Sequence, residues 1–241
     1  MVIRFLGTRG YIDARTRLHY RHAAALISYR STRVMLDCGL DWRTKVWDIA
    51  PDALVLTHGH PDHAWGLYDG SPCPVYATRV TWRVLGHRCP VEDRRIITPR
   101  KPFNIGNITF EAFDVVHSIR APAVGYRITA GRTSIFYVPD LIKIKQQHAA
   151  LRGVDLYIGD GASLVRPIVR RRGSVLFGHT TIRAQLGWCH KEQVSRAIFS
   201  HCGSQIVTGD GRTMRARVAK LGRERDVEAS LAYDGLQLKL A

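Results

Sequence analysis

The sequence has no run approaching the roughly 18 consecutive apolar residues of a membrane-spanning helix, so no span is expected. Its five cysteines (Cys38, Cys73, Cys89, Cys189 and Cys202) are odd in number, scattered, and include no CxxC pair. That argues against a disulfide framework and against a cysteine-rich zinc site, and favours a reducing compartment. The opening stretch MVIRFLGTRG has no signal-peptide core and reads as a strand followed by a turn, so a cytoplasmic location is expected. The same stretch lacks the lysine and serine of a phosphate-binding P-loop. No repeat, low-complexity tract or linker interrupts the 241 residues, which read as one domain spanning 1–241. Acidic residues are scarce: 20 Asp and Glu face 36 Lys and Arg, for a net charge of +16.

A basic surface attracts phosphate-bearing partners, which makes nucleic acid a candidate partner. Arginine supplies 29 of the 36 basic residues, however, and a GC-rich genome alone inflates arginine. The remaining composition, 45% hydrophobic and 23% charged, is that of an ordinary globular chain. Short β-like runs recur at 2–6, 23–29, 32–37, 53–57, 108–113, 123–128, 133–138, 154–159, 196–201, 228–233 and 236–240. Helical segments are fewer, at 62–68, 78–86, 140–151, 181–189 and 212–222. Strands in meanders with helices between them predict an α/β architecture of two sheets covered by helices.

Against this background the stretch LVLTHGHPDHAWGL, residues 54–67, stands apart. His58, His60, Asp62 and His63 crowd into six positions after a buried strand, with Gly59 and Pro61 as turn-forming spacers. Other candidates also follow predicted strands: Asp37 after TRVML, His117 after EAFDVV, Asp140 after TSIFYVP and His201 after RAIFS. Imidazoles and carboxylates gathered at strand ends supply the nitrogen and oxygen donors that Zn²⁺, Mn²⁺ or Fe prefer.

These motifs, in this order, resemble the metallo-β-lactamase-fold hydrolases over nearly the whole chain. The HxHxDH motif is written His58-Gly-His60-Pro-Asp62-His63, followed by His117 in VVHS, Asp140 in YVPD and His201 in FSHCG. The resemblance implies a four-layer αββα sandwich and two divalent metal ions, with zinc the first expectation. His58, His60 and His117 would hold one ion, and Asp62, His63 and His201 the other. Asp140 would bridge the two, and Asp37 would orient a ligand histidine. The oligomeric state stays open, a homodimer being compatible.

Asp140 narrows the branch, because the antibiotic-hydrolysing zinc enzymes typically carry cysteine at that motif. His179 in LFGHTT resembles the GHST-type motif of ribonuclease Z, where the histidine meets the scissile phosphate or protonates the leaving oxygen. Asp160 in YIGDGAS lies where ribonuclease Z has a glutamate partner for that histidine. Arg120 and the run RPIVRRRG at 166–173 are suited to phosphate oxygens. The chain has neither the protruding arm of ribonuclease Z nor the extra domain of the β-CASP nucleases. The expected activity is therefore hydrolysis of a phosphodiester, in a small or cyclic nucleotide-like molecule or in a nucleic-acid strand. Asp62, His179 and Asp160 are its expected catalytic residues. The alternatives are a thioester or lactone hydrolase of the same fold, or a nucleic-acid-binding protein with structural metals.

Overall fold

Alternation along the first strand, Val2–Gly7, buries Ile3 and Phe5 and leaves Arg4 in water. The computed structural model describes residues 1–240, and among these the strands form two large sheets and one hairpin. The first sheet runs Gln237–Lys239, Val2–Gly7, Ala24–Tyr29, Thr32–Leu36, Ala53–Val55, Val75–Thr78, Arg94–Ile97. The second runs Lys143–Ile144, Ile108–Val116, Ala123–Ala130, Thr133–Tyr137, Leu156–Asp160, Arg196–Ser200, Glu228–Leu231, with Phe103–Ile105 paired to Ile108–Val116.

Three separate cores show the layering. Between the sheets, Ile27, Val34 and Val55 pack with Phe110, Tyr126 and Ile135. Outside the first sheet, Met35 and Leu54 meet Trp42, Val46, Trp82 and Leu85. Outside the second, Phe136, Tyr157 and Phe199 meet Leu186, Met214 and Val218 from the helices Ile182–Lys191 and Gly211–Arg223. The expected αββα sandwich is thus present. Both helices begin on a side-chain cap: Thr181 accepts from the Ala184 N–H and Asp210 from the Thr213 N–H. No helix among the described residues is long and apolar enough to cross a membrane.

One expectation needs correction. Residues 140–151 do not form one helix: Lys143–Ile144 pairs with Ile108–Val116, and only Gln147–Leu151 is helical. The Ile142 and Lys145 N–H groups donate to Val116 and Asp114 carbonyls, so a free sheet edge captured a segment with helical periodicity. The basic run at 166–173 lies largely on a strand. Ile168–Arg172 and Val175–His179 form an antiparallel hairpin, with Ile168 opposite His179. The strands Val75–Thr78, Arg94–Ile97 and Phe103–Ile105 and the helix Lys45–Ile49 also lie outside the elements read from sequence.

Strand direction explains where the histidines gather. Thr32–Leu36 is parallel to Ala53–Val55, and Thr133–Tyr137, Leu156–Asp160 and Arg196–Ser200 are mutually parallel. Ile108–Val116 runs with them, being two antiparallel steps from Thr133–Tyr137. The carboxyl ends of these strands, with the loops that follow, therefore lie along one edge of the sandwich.

Candidate metal centre

Seven side chains from these strand ends form two clusters that share Asp140. One potential ligand atom from each of His58, His60, His117 and Asp140 lies within 4.8 Å of the others, and Asp62, His63, Asp140 and His201 form the second group. In the first, His60 Nδ1 is 2.9 Å from His58 Nε2 and 3.2 Å from His117 Nε2. Asp140 Oδ2 is 3.3 Å from His58 Nε2 and 3.9 Å from His117 Nε2. A tetrahedral ion with donors at 2.0–2.1 Å would separate neighbouring donor atoms by about 3.3 Å. In the second, Asp62 Oδ2 is 3.0 Å from His201 Nε2 and 3.2 Å from His63 Nε2, while Asp140 Oδ2 is 2.7 Å from His63 Nε2.

The unpartnered atoms fit an ion better than a complete hydrogen-bond network. His63 Nε2, Asp140 Oδ1 and His201 Nδ1 are buried without a hydrogen-bond partner, although carboxylate and imidazole atoms crowd around them. Buried polar atoms left so are costly unless a bound group such as a cation completes them. Asp62 and Asp140 contact no lysine or arginine among the described residues, so histidines or bound cations must balance them. Burial alone would raise the Asp62 and Asp140 carboxyls, but His63 and His201 hold both well below the usual carboxylate range. The same contacts lift His63 and His201 well above an ordinary imidazole against the opposing effect of burial. Burial pushes His58 down, and takes His117 to about 4, so these two rings stay neutral donors.

Neighbours select the ring nitrogen that each histidine presents. Asp37 accepts from His63 Nδ1 at 2.9 Å and from the Thr57 N–H at 2.7 Å, leaving His63 Nε2 to the cluster. His117 Nδ1 donates to the Gly178 carbonyl at 3.1 Å, freeing Nε2. His60 meets Ser118 Oγ through Nε2 at 3.2 Å, freeing Nδ1. Asp37 and His201 both sit at φ near +55°, a left-handed conformation that turns each side chain sharply as its strand ends.

His179 ends the strand Val175–His179 beside these clusters, where its Nδ1 lies 2.8 Å from Asp160 Oδ2. Asp160 is fully buried and accepts from the Leu141 and Ala162 N–H groups, which fixes it under the ring. Burial works against a charged His179, but the Asp160 carboxylate outweighs it and raises the imidazole. The His179 ring stacks on His201 with centroids 5.5 Å apart.

The clusters open into a cleft of about 580 Å³ whose walls include Tyr11, Ile12, Ala162, Ile168 and His179. No lysine or arginine among the described residues lines it. Arg120 is exposed, and its backbone N–H donates to Ser118 Oγ. Trp65 packs against the core outside the first sheet, with Arg88 over its ring.

Several contributors carry no sequence signal of their own. Ser118 orients His60, and Gly178 receives His117 while its N–H donates to the His117 carbonyl. Gly10, in the opening turn, faces the His201 ring so closely that a Cβ there would lie 3.0 Å from Cε1. Their positions next to motif residues are the only hint.

A two-sheet sandwich with paired His/Asp clusters at one edge defines a metallohydrolase architecture. The chain belongs to the beta-lactamase superfamily, whose domain model matches residues 32–202. It is 26% identical over 189 residues to Ribonuclease Z of Methanopyrus kandleri, a match covering 69% of this chain and 63% of that protein. The match thus spans less than two thirds of the relative's length. Among solved structures, the metallo-beta-lactamase fold protein YhfI of Bacillus subtilis superposes with a TM-score of 0.74 at 16% identity, covering 98% of both chains. Human tRNase Z, short form, gives 0.68 at 15% identity over 100% of both chains. At such identities these two structures establish the fold.

Proposed function

We propose that this protein is a dinuclear metal-dependent phosphodiesterase acting on a nucleotide-type diester, small, cyclic or within a strand. His58, His60, His117 and Asp140 would hold one divalent ion, and Asp62, His63, His201 and Asp140 the second. The nitrogen-rich donor set suits Zn²⁺, with Mn²⁺ or Fe as other occupants. Such ions supply Lewis acidity at phosphate oxygens and make water nucleophilic near neutral pH. Asp62 meets His63 and His201 through Oδ2, which leaves Oδ1 to orient the attacking water. Asp160 holds the Nδ1 proton of His179 and supports a charged ring, so Nε2 donates a proton to the leaving alkoxide.

The observation that carries this reading is the 2.8 Å contact between His179 and buried Asp160, set in the cleft wall beside both clusters. Cleaving an alkyl phosphodiester needs a proton donor for a poor leaving group. A thioester or lactone hydrolase would leave this pair without a task. The 26% identity to a ribonuclease Z supports the same choice. The test is metal-reconstituted protein assayed on bis(p-nitrophenyl) phosphate beside a thioester and a lactone. The diester should show the highest kcat/KM. A preference for either acyl substrate would overturn the proposal.

A further inference from the structure

The protein carries +16 net charge, yet no lysine or arginine among the described residues lines its cleft. Three unpaired arginines lie just outside. Arg170, Arg171 and Arg172 are all exposed on the hairpin Ile168–Arg172/Val175–His179, and none makes an ion pair among the described residues. The pairing sorts them by face. Residues opposite each other in an antiparallel hairpin share a face, and each strand alternates. Ile168 pairs with His179, Arg170 with Phe177, and Arg172 with Val175, so these six residues share the face that carries His179. Arg171 belongs to the other face, opposite Leu176.

This face therefore starts at the cleft with His179 and Ile168, both of which line it, and continues outward through Phe177 and Arg170 to Arg172. Four residues of strand cover about 13 Å. The base of the ridge is anchored, because Gly178 is hydrogen-bonded to His117 through both its N–H and its carbonyl. Gly178 also has φ +120° and packs so close that a Cβ would meet the Ile168 carbonyl oxygen at 1.9 Å, which only glycine permits.

We infer that this face is a track for single-stranded nucleic acid, on which the strand lies while one of its phosphodiesters occupies the cleft. The inference rests on the phosphodiesterase reading and names its substrate class. Arginines spaced along a ridge, with an aromatic beside the first of them, match what an unpaired strand offers: regularly spaced phosphates and stackable bases. A small diester has one phosphate, which the clusters in the cleft would meet, and nothing to place on Arg170 or Arg172. An anionic membrane would also attract arginines set among Ile168, Val169 and Val175. It would bind both faces of the hairpin alike, however, and has no reason to favour the one that leads into the cleft.

The experiment is fluorescence anisotropy of the intact protein in EDTA with a labelled single-stranded 12-mer, over a salt series. Working without metal separates binding from turnover. Binding should weaken steeply with salt. Arg170→Ser with Arg172→Ser should lower the slope of log K against log salt by about 1.4, two contacts at about 0.7 each. Phe177→Ser should weaken binding by about tenfold or more, as loss of a stacking platform does. The pair Arg171→Ser with Arg223→Ser removes the same charge away from this face and should change the slope far less. Equal losses from both pairs, no binding at all, or tighter binding to phosphatidylserine vesicles than to the 12-mer would overturn the track. If bis(p-nitrophenyl) phosphate is hydrolysed while the 12-mer fails to bind, the track falls and the phosphodiesterase reading stands. If the 12-mer binds along this face but no diester is hydrolysed, the reverse holds.

Discussion

Replacing His179 by alanine is expected to separate proton donation from the rest of the site. The side chain is about one-fifth exposed, and its one hydrogen bond is the 2.8 Å contact with Asp160, so its removal leaves the core intact. Neither of the two clusters assigned to metal includes it, and both should load as in the wild type. Loss of a positioned general acid costs about 10²–10⁴-fold, equivalent to about 3–5 kcal/mol of transition-state stabilisation. The defect should be full for a diester with an alkyl leaving group. It should shrink towards nothing for p-nitrophenyl diesters, whose leaving group departs without a proton.

Asp160→Asn keeps an acceptor within reach of His179 Nδ1 but removes the charge that favours the imidazolium, so its defect should be smaller, about tenfold. The double variant should be no worse than His179→Ala alone, because Asp160 acts through that ring. Steady-state kinetics on both leaving groups, with elemental analysis of each variant, provide the check. Wild-type turnover of the alkyl diester by His179→Ala would refute the acid role. So would the loss of a metal equivalent, since Asp140, Asp160, His179 and His201 also lie close enough to hold an ion.

The remaining expectations concern the scaffold. Asp140→Ala should lower metal content at both positions, read by elemental analysis, because Asp140 faces both clusters; two full equivalents would contradict the shared role. Asp37→Asn should weaken metal affinity by about 10–100-fold while leaving the fold intact, since it can no longer hold His63 through a charged acceptor; competition with a chromogenic chelator measures this. Burial and the charge of Arg215 take His19 to about 4, so as pH falls from 6.5 the unfolded chain binds a proton that the folded one refuses. Stability should therefore drop by about 2 kcal/mol between pH 7 and 5 on this account, and urea midpoints of His19→Asn should show a smaller drop.

The site was more legible in the sequence than the elements around it. His58, His60, Asp62 and His63 lie within six positions after one strand, so local spacing exposes them. His117, Asp140 and His201 are far apart, and each is marked only by following an apolar run. What unites them is strand direction within the second sheet, which no window of sequence contains. The hairpin was hidden for a different reason. IVRRR has no alternation, and its strand state depends on pairing with Val175–His179. Residues 140–151 misled because the sheet edge at Val116 competes with helix formation for the same backbone donors.

Charge placement gives the arrangement its logic. Asp37, Asp62, Asp140 and Asp160 are all buried at one edge of the sandwich, in a protein with a large excess of arginine. A guanidinium within reach of Asp62 or Asp140 would satisfy the carboxylate and compete with a divalent ion for it. Arg9 comes nearest in sequence to this role, being buried next to Gly10 in the cleft wall. It is held elsewhere: it pairs with Asp41 at 2.6 Å and donates to the carbonyls of Tyr20 and Ile12. The neutral rings of His58 and His117 can give lone pairs to a cation, whereas an arginine could only displace it. Keeping arginine out of the cleft and placing three on the hairpin beside it would divide two tasks that one charge could not perform together. On the proposed reading, cations would be held inside and phosphates gathered outside.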